Sequence, residues 1–237
     1  MIVIKHTSQG VFLFVLPFLR FFATLLVAML HIYKLLLMGP QGSGKGTQAE
    51  LLSKKLGIPA FGTGQLIREE IASGSEFGVK LNEIILKGEL ISDTDAAYLL
   101  KRRLAMPDAQ RGYILDGYPR NLSQYTAFDF DEPTHVIVID VPNEESIKRL
   151  GGRLTCRQCN KVGSTRDGLK SGDFCACGGE WYQRADDTPE AIARRLEIYE
   201  QDTFPVIDEY NKKHLVSHID GLGSIEDVFD RIVAQID

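Results

Sequence analysis

The nine residues Gly39-Pro-Gln-Gly-Ser-Gly-Lys-Gly-Thr47 narrow most sharply what this chain can fold into. They follow a short apolar run at 32–38 and open a segment of helical periodicity at 44–56. Between a strand and a helix such a loop has a clear physical use. Glycines at 39, 42 and 44 let several backbone N–H groups turn inward, the helix N-terminus adds its dipole, and Lys45 supplies a mobile cation. Together they make a cradle for a nucleotide polyphosphate. The strict pattern G-x-x-x-x-G-K-[ST] is missed at its last place, where Gly46 stands and the hydroxyl arrives one residue later at Thr47. The plain alternative, a glycine-rich turn with a chance lysine, has the strand-loop-helix context against it.

From residue 32 onward, short β-branched or leucine-rich runs alternate with longer amphipathic ones, the pattern of a parallel sheet covered by helices. Strands are expected at 32–38, 59–61, 112–116, 135–141 and 215–219, and helices at 44–56, 63–73, 76–87, 93–105, 123–128, 144–151, 189–212 and 224–236. The implied fold is α/β, a parallel five-stranded sheet with buried central strands. Thr188 before Pro189 reads as an N-cap with a first-turn proline, and Ser224-Ile-Glu-Asp227 resembles a capping box. Pro205 falls inside the long helix and should kink it. Residues 154–183 fit neither period; they read as an inserted, glycine-rich lobe.

That lobe carries all four cysteines, as Cys156-x-x-Cys159 and Cys175-Ala-Cys177. In a nucleotide enzyme of a reducing compartment a metal site is favoured over disulfides. The second pair is one residue shorter than the usual C-x-x-C, but alternate side chains of an extended segment point the same way, and tetrahedral Zn–S bonds of about 2.3 Å put sulfurs roughly 3.7 Å apart. The expectation is Zn²⁺ held by Cys156, Cys159, Cys175 and Cys177. Asp173 is the substitute ligand if the short pair fails, and redox-active or simply buried cysteines are the plain alternative. A closed four-ligand site leaves no position for catalysis, so the metal would be structural.

The net charge of −5 removes the general attraction that drives nucleic-acid binding. Residues 11–30 are apolar except for Arg20, Thr24 and Pro17, and hydropathy alone accepts them as a membrane helix, because many residues at about −0.3 to −0.6 kcal/mol outweigh one arginine at about +2.5 to +3.5. Geometry opposes it: the run at 32–38 must enter a soluble core, which leaves almost no chain for the headgroup layer. Met29 is therefore expected to be the functional start, with 1–28 as upstream sequence or a loosely packed extension; an anchor or signal segment is the alternative.

The phosphate loop ending in GKGT resembles that of adenylate kinases, in the nucleoside monophosphate kinase family, and the likeness continues downstream. Thr63-Gly-Gln-Leu-Ile-Arg68 is similar to the family's TGDxxR segment and Asp116-Gly-Tyr-Pro-Arg120 to its DGFPR, with Gln124 four residues beyond. Arg149 and Arg153 match the pair before the lid, and Gln183-Arg-Ala-Asp-Asp187 and Arg195 match the segments after it. The resemblance runs from residue 32 to the C-terminus. It implies one domain over 29–237, with a monophosphate-binding lobe at 61–90 and a zinc-bound lid at 154–183.

It also implies reversible phosphoryl transfer from Mg-ATP to AMP, giving two ADP. Lys45, Arg120, Arg153, Arg184, Arg195 and Asp116 would be the catalytic set, with Asp116 ordering Mg²⁺ through water. ATP would be held by Gly42, Ser43, Gly44, Lys45, Gly46, Thr47, Arg149, Arg153 and Gly223, with Arg149 stacked on adenine. AMP would be held by Thr63, Arg68, Glu89, Leu90, Ile91, Gly117, Arg120, Gln124, Arg184 and Arg195, with Gln124 on the base. Arginine suits phosphate because its planar fork grips two oxygens at once. Two lobes should close over the substrates, since transfer to water would waste ATP. Gly62, Gly64, Gly74, Gly88, Gly151 and Gly152 are candidate hinges. Gln65 departs from the family's acidic residue, which implies an altered Mg²⁺ dependence. The resemblance further implies a cytoplasmic monomer that binds neither nucleic acid nor membrane. Rival readings are a UMP/CMP or guanylate kinase and, in another class, a zinc-ribbon module that binds nucleotide without catalysis.

Overall fold

In the computed structural model, residues 32–86, 91–184 and 187–236 are described. The extension at 1–28 and the sequence-derived expectations at Gly88, Glu89 and Leu90 lie outside them, as does Asp186. The compact unit Tyr33–Asp237 is built on a sheet of five parallel strands: β1 (Tyr33–Met38), β2 (Ala60–Gly62), β3 (Gly112–Asp116), β4 (His135–Asp140) and β8 (Val216–Asp220). Their order across the sheet is β2-β3-β1-β4-β8. The expected α/β fold is thus the one observed, with strand ends shifted by a residue or so.

The period-two alternation of the strands divides the core in two. Leu36 and Met38 of β1, Tyr113 and Leu115 of β3, and Val136 and Val138 of β4 face one side; Leu35, Leu37, Ile114, Ile137 and Ile139 face the other. The second side is covered by α1 (Lys45–Leu56), through Ala49 and Leu52, and by α9 (Ile225–Ile236), through Val228, Ile232 and Ile236. The first side is covered by α2 (Thr63–Ala72), α3 (Glu76–Leu86), α4 (Asp93–Leu104), α5 (Leu122–Ala127) and α8 (Phe204–Lys212). Helices on both faces are why the middle of each central strand is an unbroken apolar run rather than alternating with polar residues.

The predicted caps form. Thr188 Oγ1 accepts the Ala191 N–H at 3.2 Å at the start of α7 (Pro189–Ile198). Ser224 and Asp227 satisfy each other's backbone N–H at 3.0 and 3.1 Å. The single long helix expected at 189–212 is instead two α-helices joined by a π-helical turn, Tyr199–Thr203. The Phe204 N–H reaches back to Tyr199 O, so the register slips by one residue just ahead of Pro205, which has no N–H to give.

The inserted lobe, whose sequence showed neither period, is built on three short strands. β5 (Arg153–Cys156) pairs antiparallel with β6 (Val162–Ser164) and β7 (Trp181–Tyr182), and Leu154, Cys156, Cys175 and Trp181 form a separate small core with Leu169 against it. α6 (Asn143–Gly151) leads into this lobe.

Candidate active site

Strand β1 runs directly into the phosphate loop, and the carboxyl ends of β3 and β2 lie beside it: Leu37 is in register with Asp116, and Asp116 with Gly62. Ligands of open parallel sheets bind at such ends, where the strand order reverses. The loop's glycines are required by geometry. Gly39 has φ 141, and a Cβ there would meet Ile139 O at 2.5 Å; Gly42 has φ 85, and a Cβ there would press on Ser146 O at 3.0 Å. Gly44 caps α1 in the left-handed region, which turns the first N–H groups of the helix toward the loop.

Lys45, the first residue of α1, folds back over this loop. Its Nζ donates to Gly39 O and Pro40 O at 2.7 Å each and to Ser43 Oγ at 3.3 Å. The loop carbonyls thus hold the ammonium over the cradle. Burial brings its pKa down to about 8, with the Asp116 carboxylate opposing and Arg120 and Arg153 adding to the fall. Asp116 is shifted upward by burial, with Lys45 and then Arg120 pulling it back. These mutual effects place Lys45, Asp116, Arg120 and Arg153 within electrostatic reach of one another, and Arg195 acts on Arg120 in the same way.

Arg120 is fixed from both sides: its Nε donates to Gly117 O at 2.7 Å, its carbonyl accepts Thr203 Oγ1–H at 2.9 Å, and Gly117 turns with φ 67 beneath the guanidinium. Arg153 makes a two-point contact with Asp187, Nε to Oδ2 at 2.8 Å and Nη2 to Oδ1 at 2.6 Å, and Arg195 Nη2 adds a third at 2.9 Å. The Asp187 side chain is fully buried, so its charge is matched by two arginines that share it. The sequence placed Asp187 in a matching motif without giving it a role; adjacent carboxylates following Arg184 were the available signal. Arg184 itself sits on the connection ahead of α7, where its carbonyl accepts the Asp187 N–H at 3.1 Å.

Other expected residues stand farther round the rim. Arg149 on α6 donates from Nε to Glu145 Oε1 at 2.9 Å and from Nη2 to Gly221 O at 3.0 Å, which ties it to the loop that holds Gly223. Glu145 also accepts from Arg166 of the lobe at 3.1 Å. Thr63 begins α2 at the end of β2, and Arg68 on that helix lies over Gly64. Ile91 precedes Ser92, the N-cap of α4, and packs on the core. Gln124 accepts the Arg120 N–H at 2.8 Å and donates to Asp93 Oδ1 at 2.8 Å. Gln65 donates to Glu69 Oε1 at 2.7 Å, one turn along α2.

In the small lobe the four cysteine sulfurs all lie within 4.8 Å of one another, the one such ligand group among the described residues. None is in a disulfide. Cys156 and Cys177 are 3.5 Å apart and Cys159 and Cys175 3.8 Å apart, which brackets the spacing around a tetrahedral zinc of about 3.7 Å. The backbone N–H of Cys159, with that of Gln158 and the neighbouring thiols, holds the Cys156 thiol below its usual range against an opposing effect of burial. Asp173 stands apart from the group: its Oδ2 accepts the Lys170 N–H at 2.9 Å and closes a turn. The donor set fits a structural metal.

A glycine-rich loop between the central strand and its helix, faced by a strand-end aspartate and by converging arginines, is the arrangement of a P-loop nucleotide kinase. A family model described as adenylate kinase matches residues 37–215. An adenylate kinase of Archaeoglobus fulgidus is 43% identical over 208 residues, covering 84% of this chain and 96% of the relative. One from Carboxydothermus hydrogenoformans is 42% identical over 207 residues, 84% and 97%, and one from Methanocella arvoryzae 42% identical over 208 residues, 84% and 96%. This chain belongs to the adenylate kinase family.

Proposed function

We propose that this protein transfers the γ-phosphoryl group of Mg-ATP reversibly to AMP, giving two ADP. The observation that carries the reading is the meeting of Lys45, Arg120, Arg153 and Arg195 at one end of the sheet, with Asp116 among them. Phosphoryl transfer needs alignment and cations more than covalent chemistry, because charge spreads over the transferred oxygens as donor and acceptor come into line. The N–H groups of Gly42, Ser43, Gly44, Gly46 and Thr47 and the Lys45 ammonium hold the donor phosphates, while Arg149 and the loop at Gly223 flank the donor base. Arg68, Arg120, Arg184 and Arg195 receive the acceptor phosphate, and Thr63, Ile91, Gly117 and Gln124 line the acceptor nucleoside. No general base is required.

Mg²⁺ carried with the nucleotide supplies further charge neutralisation, and Asp116 is the carboxylate placed to order its water shell. Cys156, Cys159, Cys175 and Cys177 hold one zinc, which folds a lobe too small to be stable by its own core. Residues 61–90 and 154–183 close over the two substrates. The reading is of a cytoplasmic monomer, and no described helix is long and apolar enough to cross a membrane.

ADP formation from ATP, assayed in turn with AMP, CMP, UMP and GMP, tests the acceptor, and AMP should lead by a wide margin. Lys45→Ala and Arg120→Ala should each abolish turnover. Undiminished activity in both would sink the kinase reading. Metal analysis of protein purified without chelator should give one zinc per chain; none would remove the metal assignment.

A further inference from the structure

We propose that Asp93 is a positioning residue for acceptor-base specificity: with the Arg120 N–H, it locks the Gln124 amide in the one orientation that matches adenine. The proposal rests on the AMP-acceptor reading above.

A glutamine amide is nearly symmetric in shape and opposite in polarity at its two ends, so an unconstrained one can turn over and present either pattern. Here both ends are held by groups with a single polarity. The Arg120 backbone N–H can only donate, and it meets Gln124 Oε1 at 2.8 Å. The Asp93 carboxylate can only accept when ionised, and it meets Gln124 Nε2 at 2.8 Å. Turning the amide over would set two N–H donors against each other at one end and oxygen against carboxylate at the other. The backbone around Gln124 is fixed as well, because the Gln124 N–H bonds to the Asn121 N-cap at 2.7 Å.

What remains to a ligand is one Nε2–H and one lone pair of Oε1, in a fixed order. Adenine offers an N6–H donor beside an N1 acceptor, which that order satisfies with two hydrogen bonds. Hypoxanthine and guanine offer an O6 acceptor beside an N1–H donor, which requires the reversed amide. Asp93 touches no substrate in this scheme; it acts through Gln124. It is held in place by its position in the first turn of α4, just after the Ser92 cap, whose Oγ accepts the Asp95 N–H at 3.1 Å. Adjacent fully buried Tyr118 borders the pair and carries its hydroxyl toward Gln124 O at 3.4 Å.

The test uses Asp93→Asn, which keeps the shape but can donate or accept and so removes half of the lock. AMP and IMP are compared as acceptors, since IMP reverses the edge polarity without adding the guanine amino group. The kcat/KM ratio of AMP over IMP should fall about tenfold or more in the variant, as expected for loss of discrimination by a bidentate contact. The change should appear mainly in the acceptor KM, with the KM for ATP unchanged. Asp93→Ser, with a residue well tolerated in a first helical turn, should give the same loss if Asp93→Asn fails to fold. Asp95→Asn removes a charge from the same turn, where Asp95 faces Lys80 instead of Gln124, and should leave the ratio intact. An unchanged ratio in both Asp93 variants, or an equal fall in Asp95→Asn, would overturn the proposal. If the unmodified protein prefers another monophosphate, the acceptor reading is what fails; if it prefers AMP and the Asp93 variants still do, the positioning role fails.

Discussion

Lys45 is a site residue whose chemistry the local structure changes. Its ammonium is held near pKa 8 before any phosphate arrives, so the free protein should lose its donor-site cation as pH rises past that point. We expect kcat/KM for ATP to decline about tenfold per pH unit above pH 8; a profile flat to about pH 10 would contradict this. The same shift has a consequence for stability. Between about 8 and the ordinary value of 10.5 the unfolded chain binds the extra proton, so this group's contribution to stability rises with pH through that window. Asp187 is the residue on which two arginines depend. Asp187→Asn keeps the shape but halves the polar match, and misplacing both guanidinium groups should lower kcat about 10- to 100-fold. Steady-state kinetics beside a thermal melt separates this from unfolding. The sequence showed the arginines because they stand in recognisable motifs; it did not show their tether, since a carboxylate 34 residues along the chain from Arg153 becomes a partner only through folding.

Among the elements, α2 and α3 show how contact overrides propensity. Gly78 lies inside α3, where helix propensity alone says that alanine would add about 1 kcal/mol. A Cβ at that position would meet Glu70 O of α2 at 2.2 Å, however, so the two helices approach closely only because the side chain is absent. Gly78→Ala should lower stability by about 1–3 kcal/mol, measurable by denaturant unfolding. A higher midpoint would be the contrary result. The cysteine lobe makes a second test. Its core is separate from the two main clusters and contains Trp181, 4% exposed and the one tryptophan of the chain. Removing the metal with a strong chelator should shift tryptophan emission to the red while most helical circular dichroism survives. Simultaneous loss of both signals would mean that the lobe is not an independent element. Its three strands escaped the sequence reading because each is only two to four residues long, too short for a period-two pattern to register.

At the scale of the whole molecule, the phosphate cradle follows the central strand β1, and residues 61–90 and 154–183 are the segments proposed to cover the acceptor and the donor. Two substrates that must meet in line and away from water require those segments to come together. A bisubstrate analogue joining two adenosines through phosphates should therefore reduce the radius of gyration seen by small-angle scattering. An unchanged radius at saturating analogue would refute the closing motion. The sequence by itself determined the α/β order of elements, the phosphate loop, the cysteine quartet and the caps, because each depends on residue type and local spacing. Tertiary structure alone decided that Asp187 joins two arginines, that Asp93 and Arg120 hold Gln124 in one polarity, that Gly78 admits a neighbouring helix, and that Pro205 is absorbed by a π-turn. Asp93 with Gln124 and Arg153 with Asp187 are contacts across 31 and 34 residues of chain, and the others are adjustments made where elements pack, so residue type and local spacing do not specify them.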